Sequence, residues 1–117
     1  MNLKEIMNQH SFAVLGNTLD ESKYACQIKN GLIEKGYQVY SVGKELESIN
    51  DIDGNIDIVD LCIHPAKGLR LLKECRKPFR MIVVQPGASD DELIAYLEDN
   101  NIPYINGCLL IGLKLYS

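Results

Sequence analysis

Gly16, Asn17 and Thr18 close the apolar run FAVL and stand just before LDESKY, which carries Lys23 and Tyr24. A strand-to-helix turn of this kind leaves backbone N–H groups free at the start of a helix. Thr18 adds a hydroxyl donor and Lys23 a positive charge. Together these are the groups that hold a phosphate or pyrophosphate. A dinucleotide turn of the form G-x-G-x-x-G shows three glycines, whereas here Gly16 stands alone. The same residues also read as an ordinary capped turn beside a solvated lysine. The loop by itself leaves both readings open.

Four other short stretches follow apolar runs and carry polar groups. The run YQVYSVG ends in Gly43 and is followed by Lys44. An NAD site places an acidic residue at such a position to accept from the ribose hydroxyls. A cation there favours a ribose bearing an extra phosphate, as in coenzyme A (3′) or NADP (2′). Glu45 follows directly, so a shift of one residue reverses that reading. After IDIVDLCI come His64 and Pro65, read as a polar rim over a nucleotide base. Cys62 and His64 share a strand face, but no second ligand pair accompanies them, so no metal site is expected. In QPGAS, Gln85 and Gly87 are placed to approach a ligand through backbone groups, or form only a turn. Cys108 follows IPYIN and is read as a structural thiol ahead of a nucleophile or thiol-exchange partner, since reactivity requires a lowered pKa and access. No G-x-S-x-G, H-E-x-x-H or P-loop lysine motif occurs, so no catalytic residue is assigned.

These loops need a scaffold that brings them to one edge. The sequence supplies strands alternating with helices. SFAVLG, YQVYSVG, IDIVDLCI, RMIVVQ and IPYIN read as strands. Asn2 caps a short first helix through Leu3, Ile6 and Met7. Ser22 caps a second helix that runs to about Lys35 and leaves through Gly36. A third presents Ala66, Leu69, Leu72 and Cys75. Ser89 and Glu92 form a capping box for a fourth, through Leu93, Ile94 and Leu97. KELESINDIDGN reads as a loop with a short turn, and the apolar tail CLLIGLKLYS is left unassigned. This alternation implies an α/β fold, a doubly wound sheet of about five parallel strands with helices on both faces. Ligands then bind beyond the carboxyl ends of the strands, where strand order reverses.

Composition narrows the partners. With 117 residues, 46% apolar and 24% charged, the chain reads as one soluble domain over 1–117, long enough to bury a core. A net charge of −4 argues against nucleic acid. No apolar run approaches a membrane span, and MNLKEIMNQH lacks a secretory signal, so no membrane partner and a cytoplasmic location are expected. The four scattered cysteines are then free thiols. The apolar tail leaves room for a protein partner or a second copy of the chain.

The segments FAVLGNTLDESKY, GLIEKGYQVYSVGKE, IDIVDLCIHP, VVQPGASDDEL and NGCLLI, taken together, resemble the small stand-alone CoA-binding domain proteins of bacteria and archaea. These are Rossmann-like relatives of the nucleotide-binding domain of the succinyl-CoA synthetase alpha subunit. The resemblance spans nearly the whole chain. It differs from the usual pattern at Thr18 (commonly serine), Val42-Gly43 (often Asn-Pro), Ala25 (usually glycine), Pro86 and Gly107 (commonly basic). It implies that Gly16, Thr18, Lys23 and Tyr24 line the pyrophosphate and that Lys44 faces the 3′-phosphate, with Asn17 and Gly43 beside them among the cofactor-binding residues. His64 and Pro65 would flank the adenine, with Gln85 and Gly87 toward the pantetheine. The resemblance implies non-enzymatic binding of coenzyme A or acyl-CoA. Two alternatives stand beside it: an NAD(P)-binding redox sensor or reductase, and an interaction protein with a degenerate nucleotide pocket.

Overall fold

The computed structural model describes residues 1–117. Five strands form one sheet: β1 (Ser11–Gly16), β2 (Gln38–Gly43), β3 (Ile58–Cys62), β4 (Met81–Val84) and β5 (Tyr104–Asn106). The order is β2-β1-β3-β4-β5 and every pairing is parallel. The helices are α1 (Leu3–Ile6), α2 (Tyr24–Glu34), α3 (Pro65–Glu74), α4 (Asp91–Asp99) and α5 (Leu109–Tyr116).

The burial pattern explains the order. SFAVLG and MIVV are buried at every residue, and IVDLC at all but Cys62. Such runs suit strands covered on both faces. Period-two alternation divides them between two cores. Ala13, Leu15, Val59, Leu61, Ile82 and Val84 face α3 and α4, meeting Leu69, Leu72, Leu93 and Leu97. Phe12, Val14, Ile58, Met81 and Val83 face α1, α2 and α5, meeting Ile6, Ile28, Leu32, Leu109 and Leu113. Right-handed crossovers then require the chain to wind one way through α2 and the other way through α3 and α4. The reversal falls between β1 and β3.

The observed ends correct several expectations. α2 starts at Tyr24 with Lys23 as an N-cap that makes no side-chain bond, not at a Ser22 cap. The Ser22 hydroxyl and N–H both donate to Asp20 Oδ1, at 2.7 and 3.0 Å, so Ser22 closes a turn instead. For α4 the cap is Asp90, whose carboxylate accepts from the Leu93 N–H at 2.9 Å, and Ser89 lies one residue outside. The third helix stops at Glu74, with Cys75 as its C-cap. The tail left unassigned by its composition is α5. At the first helix, Asn2 forms the expected cap, joined by Glu5 in a reciprocal box.

Asp57 fixes the opposite edge of the sheet. Its Oδ2 accepts from the N–H groups of His10 (3.0 Å) and Ser11 (3.1 Å), and its own N–H donates to Ser11 Oγ (3.0 Å). Burial opposes ionisation there, yet the His10 and Ser11 bonds and the nearby Arg80 hold the carboxyl below its ordinary value. A depressed pKa contributes stability above the unfolded value, which is lost as pH falls through the folded one. Asp57→Ala is therefore expected to cost about 1.5–3 kcal/mol at neutral pH, from the loss of charge-assisted bonds. Urea unfolding measures this, and the difference should shrink in acid below about pH 4.

Candidate functional site

The strand reversal leaves a crevice over the carboxyl ends of β1 and β3, where such sheets take ligands. A cleft of about 330 Å³ opens there, at the small end of the range for ligand sites. Its walls are Asn17, Lys23, Tyr24 and Ala25 from the β1–α2 turn, Cys62, Ile63 and His64 from the end of β3, and Pro86, Gly87 and Ala88 from the loop after β4.

Gly16 makes the floor possible. Its Cα lies opposite Gly43 on one side and Cys62 on the other. A Cβ there would lie 2.3 Å from the Cys62 carbonyl oxygen and 2.8 Å from Ala25 Cβ. One glycine thus serves close packing, with no need for a positive φ. The first turn of α2 is drawn down onto the strands and ends at the cleft.

That turn has no intramolecular partners. No acceptor reaches the N–H groups of Tyr24, Ala25 or Cys26, and Lys23 supplies no cap. Asp20, in the turn before it, is held below its usual range by the Ser22 hydroxyl and N–H and is committed to them. The other long helices are provided for. Asp90 caps α4, the Leu109 N–H of α5 donates to Gln85 Oε1 at 2.8 Å, and His64 Nδ1 accepts from Ala66 in α3 at 3.2 Å. Free N–H groups and the helix dipole make the start of α2 attractive to an anion. Lys23 is exposed beside it, and the Tyr24 ring stands at the rim, 65% exposed. With its Nδ1 an acceptor, His64 offers an Nε2–H outward.

Five of the eleven residues picked from sequence meet in this cleft: Asn17, Lys23, Tyr24, His64 and Gly87. Gly16 lies beneath it, and Pro65 is the first residue of α3 behind His64. Thr18 is buried and donates to Glu45 Oε2 at 2.9 Å. Glu45 also takes Lys29 Nζ at 3.0 and 3.2 Å. The Ser41 hydroxyl, Lys29 and Thr18 hold its carboxyl below the ordinary range, against an opposing effect of burial. Glu45 therefore ties the turns after β1 and β2 together, and its oxygens are already engaged. Gly43 (φ +123°) turns the chain after β2, and Lys44 is exposed outside the cleft on the β2 side. Gln85 is buried and its carbonyl belongs to α5. Gly87 (φ +86°) follows Pro86 in a turn closed by Ala88 N–H to Gln85 O at 3.0 Å, which requires glycine. Ala25, Cys62, Ile63, Pro86 and Ala88 complete the lining without having been singled out as ligand contacts.

Comparison with known proteins agrees with this fold. A family model described as CoA binding domain matches residues 10–114. The chain belongs to that family. Two solved structures share its fold. A conserved hypothetical protein from Pyrococcus furiosus is 26% identical, with a TM-score of 0.78 over 88% of this chain and 98% of its own. A protein from Thermus thermophilus, cell-free ID.343, is 25% identical, with a TM-score of 0.80 over the full length of both chains. No curated protein matches. The five-stranded parallel sheet of this CoA-binding domain is the Rossmann-like α/β architecture. No helix is long and apolar enough to cross a membrane.

Proposed function

We propose that this CoA-binding domain holds coenzyme A or an acyl-CoA without transforming it, with the pyrophosphate on the start of α2. The observation that carries this reading is the set of unpartnered Tyr24, Ala25 and Cys26 N–H groups at the start of α2, where Tyr24 and Ala25 line the cleft. Asn17 and Lys23 assist from the same turn. The Tyr24 ring and His64 flank the adenine and ribose side, and Pro86 and Gly87 guide the pantetheine. Thr18 acts indirectly, by fixing the turn through Glu45. Lys44 lies where a 3′-phosphate would leave the cleft along β2. In this reading the protein works in the cytoplasm as a sensor or carrier, as one domain, and takes no nucleic acid.

The 3′-phosphate gives the test. A partly exposed lysine contributes roughly 0.5–1.5 kcal/mol to such a group, less at high salt. Coenzyme A should therefore bind about 2- to 12-fold more tightly than dephospho-CoA in calorimetric titration. Lys44→Ala should remove most of that difference and leave dephospho-CoA nearly unchanged. Equal affinities in the parent protein would make Lys44 a solvated surface charge. An NADP site shares the extra phosphate, and tighter binding of NADPH than of coenzyme A would replace the reading with that one. Failure of every nucleotide to bind would favour an interaction protein with a degenerate pocket.

A further inference from the structure

Two thiols stand next in sequence to hydrogen-bond partners of the buried Gln85, and the proposed ligand binding gives them no task. The Gln85 N–H donates to the Leu61 carbonyl of β3 at 3.0 Å, while its Oε1 accepts from the Leu109 N–H at the start of α5 at 2.8 Å. Cys62 follows Leu61, and Cys108 precedes Leu109. Each cysteine is thus one residue from a hydrogen bond to Gln85. The Gly107 N–H donates to the Val84 carbonyl at 3.0 Å, which draws the chain back over β4 just before Cys108. Cys62 packs on the sheet face that α5 covers, with the same core as Leu109 and Leu113. Both thiols are half-buried and free. The other two are engaged elsewhere: Cys26 accepts from Asn30 within α2, and Cys75 donates to the Lys77 carbonyl after α3.

We propose that Cys62 and Cys108 form a redox pair that closes to an intramolecular disulfide, with a low-molecular-weight disulfide as oxidant. The Cys108 thiolate attacks one sulfur of the small disulfide. That S–S bond breaks, a mixed disulfide forms on Cys108, and the first small thiol leaves with a proton. Cys62 then loses its proton to solvent and attacks the Cys108 sulfur. The mixed disulfide breaks, the Cys62–Cys108 bond forms, and the second small thiol leaves. Two protein thiols are oxidised by two electrons, and the small disulfide is reduced to two thiols. Burial, then Asp60 and Cys108, push the Cys62 thiol up to about 12. Cys62 is therefore the resolving thiol, and closure is slow at neutral pH. Reduced Cys62 carries little thiolate character, so the bridge resists reduction once made. It ties the end of β3 to the start of α5 and removes a thiol from the cleft wall.

The inference rests on the thiols, whatever ligand the cleft takes. The parent protein is held with excess oxidised glutathione at neutral pH, quenched by alkylation and mapped by mass spectrometry. The expected result is loss of two of the four free thiols and a single linked peptide pair joining Cys62 to Cys108. Cys62→Ser and Cys108→Ser should each abolish that pair while keeping the parent circular-dichroism spectrum. The parent map decides by itself: four free thiols, glutathione adducts alone, or a bridge through Cys26 or Cys75 overturns the proposal.

Discussion

Asp60→Val is expected to make the protein more stable, by about 1–3 kcal/mol at neutral pH, the cost of a buried polar group without a partner. Asp60 lies in the middle of β3 between Val14 and Val83, is 0% exposed, and neither carboxyl oxygen meets a hydrogen-bond partner. Burial pushes its pKa well above the ordinary value. The folded state therefore keeps a proton that the unfolded chain releases. Its contribution is fully present below the unfolded pKa, near 3.8, and is lost as pH rises toward the folded one. The slope approaches 1.4 kcal/mol per pH unit within that window. Valine is β-branched, close in size and without polar atoms, so it suits a central strand. Urea unfolding of both proteins across the window should give a declining parent curve and a variant curve that lacks this decline. A less stable variant, or parallel curves, would show that Asp60 has a partner in solution. The acid-side losses from Asp57 and Glu45 set in only as pH falls below their ordinary values, 3.8 and 4.5, so they overlap the acid end of the window alone.

The second large effect belongs to Gly16. In Gly16→Ala the added carbon would meet the Cys62 carbonyl oxygen at 2.3 Å and Ala25 Cβ at 2.8 Å. A backbone oxygen in a paired strand cannot turn aside as a flexible side chain can. Either β1 and β3 part or α2 lifts from the sheet. The expected cost is toward the upper end of about 1–3 kcal/mol for overpacking. Lifting α2 also moves the N–H groups of Tyr24, Ala25 and Cys26, so affinity for coenzyme A should fall at least tenfold, or about 1.4 kcal/mol. Unfolding and titration of the same sample separate the two effects. A variant as stable as the parent would mean that the turn has slack and that Gly16 is not required for close approach.

The central strands were legible because SFAVLG and MIVV carry their burial in their composition. The helix at the C-terminus was not. Leu109 and Leu113 are buried, but Ile111 and Leu115 are 52% and 62% exposed, so the segment is apolar all round and shows no helical stripe. Helix starts misled where a better acceptor stood one or two residues away, as Asp20 does for Ser22 and Asp90 for Ser89. At the site, the topology rule located the edge, and the turn after β1 was readable from Gly16, Asn17 and Lys23. Polar residues after strands often face a ligand, and the sequence alone gives Thr18 and Gln85 that reading. Their actual partners, Glu45 and the Leu109 N–H, are distant in sequence, and such pairings leave no local signal. The apolar lining from Ile63, Pro86 and Ala88 was silent for the opposite reason, since these residue types read as core or turn.

The account stands most directly on the start of α2. Backbone amide NMR of isotope-labelled protein, titrated with coenzyme A, reports each N–H separately. The expected result is saturable shifts concentrated at Asn17, Tyr24, Ala25, Cys26 and Gly87, with the amides of His10 and Asp57 at the opposite edge of the sheet unmoved. Shifts confined to other surfaces, or none at all as coenzyme A is raised to millimolar levels, would contradict it.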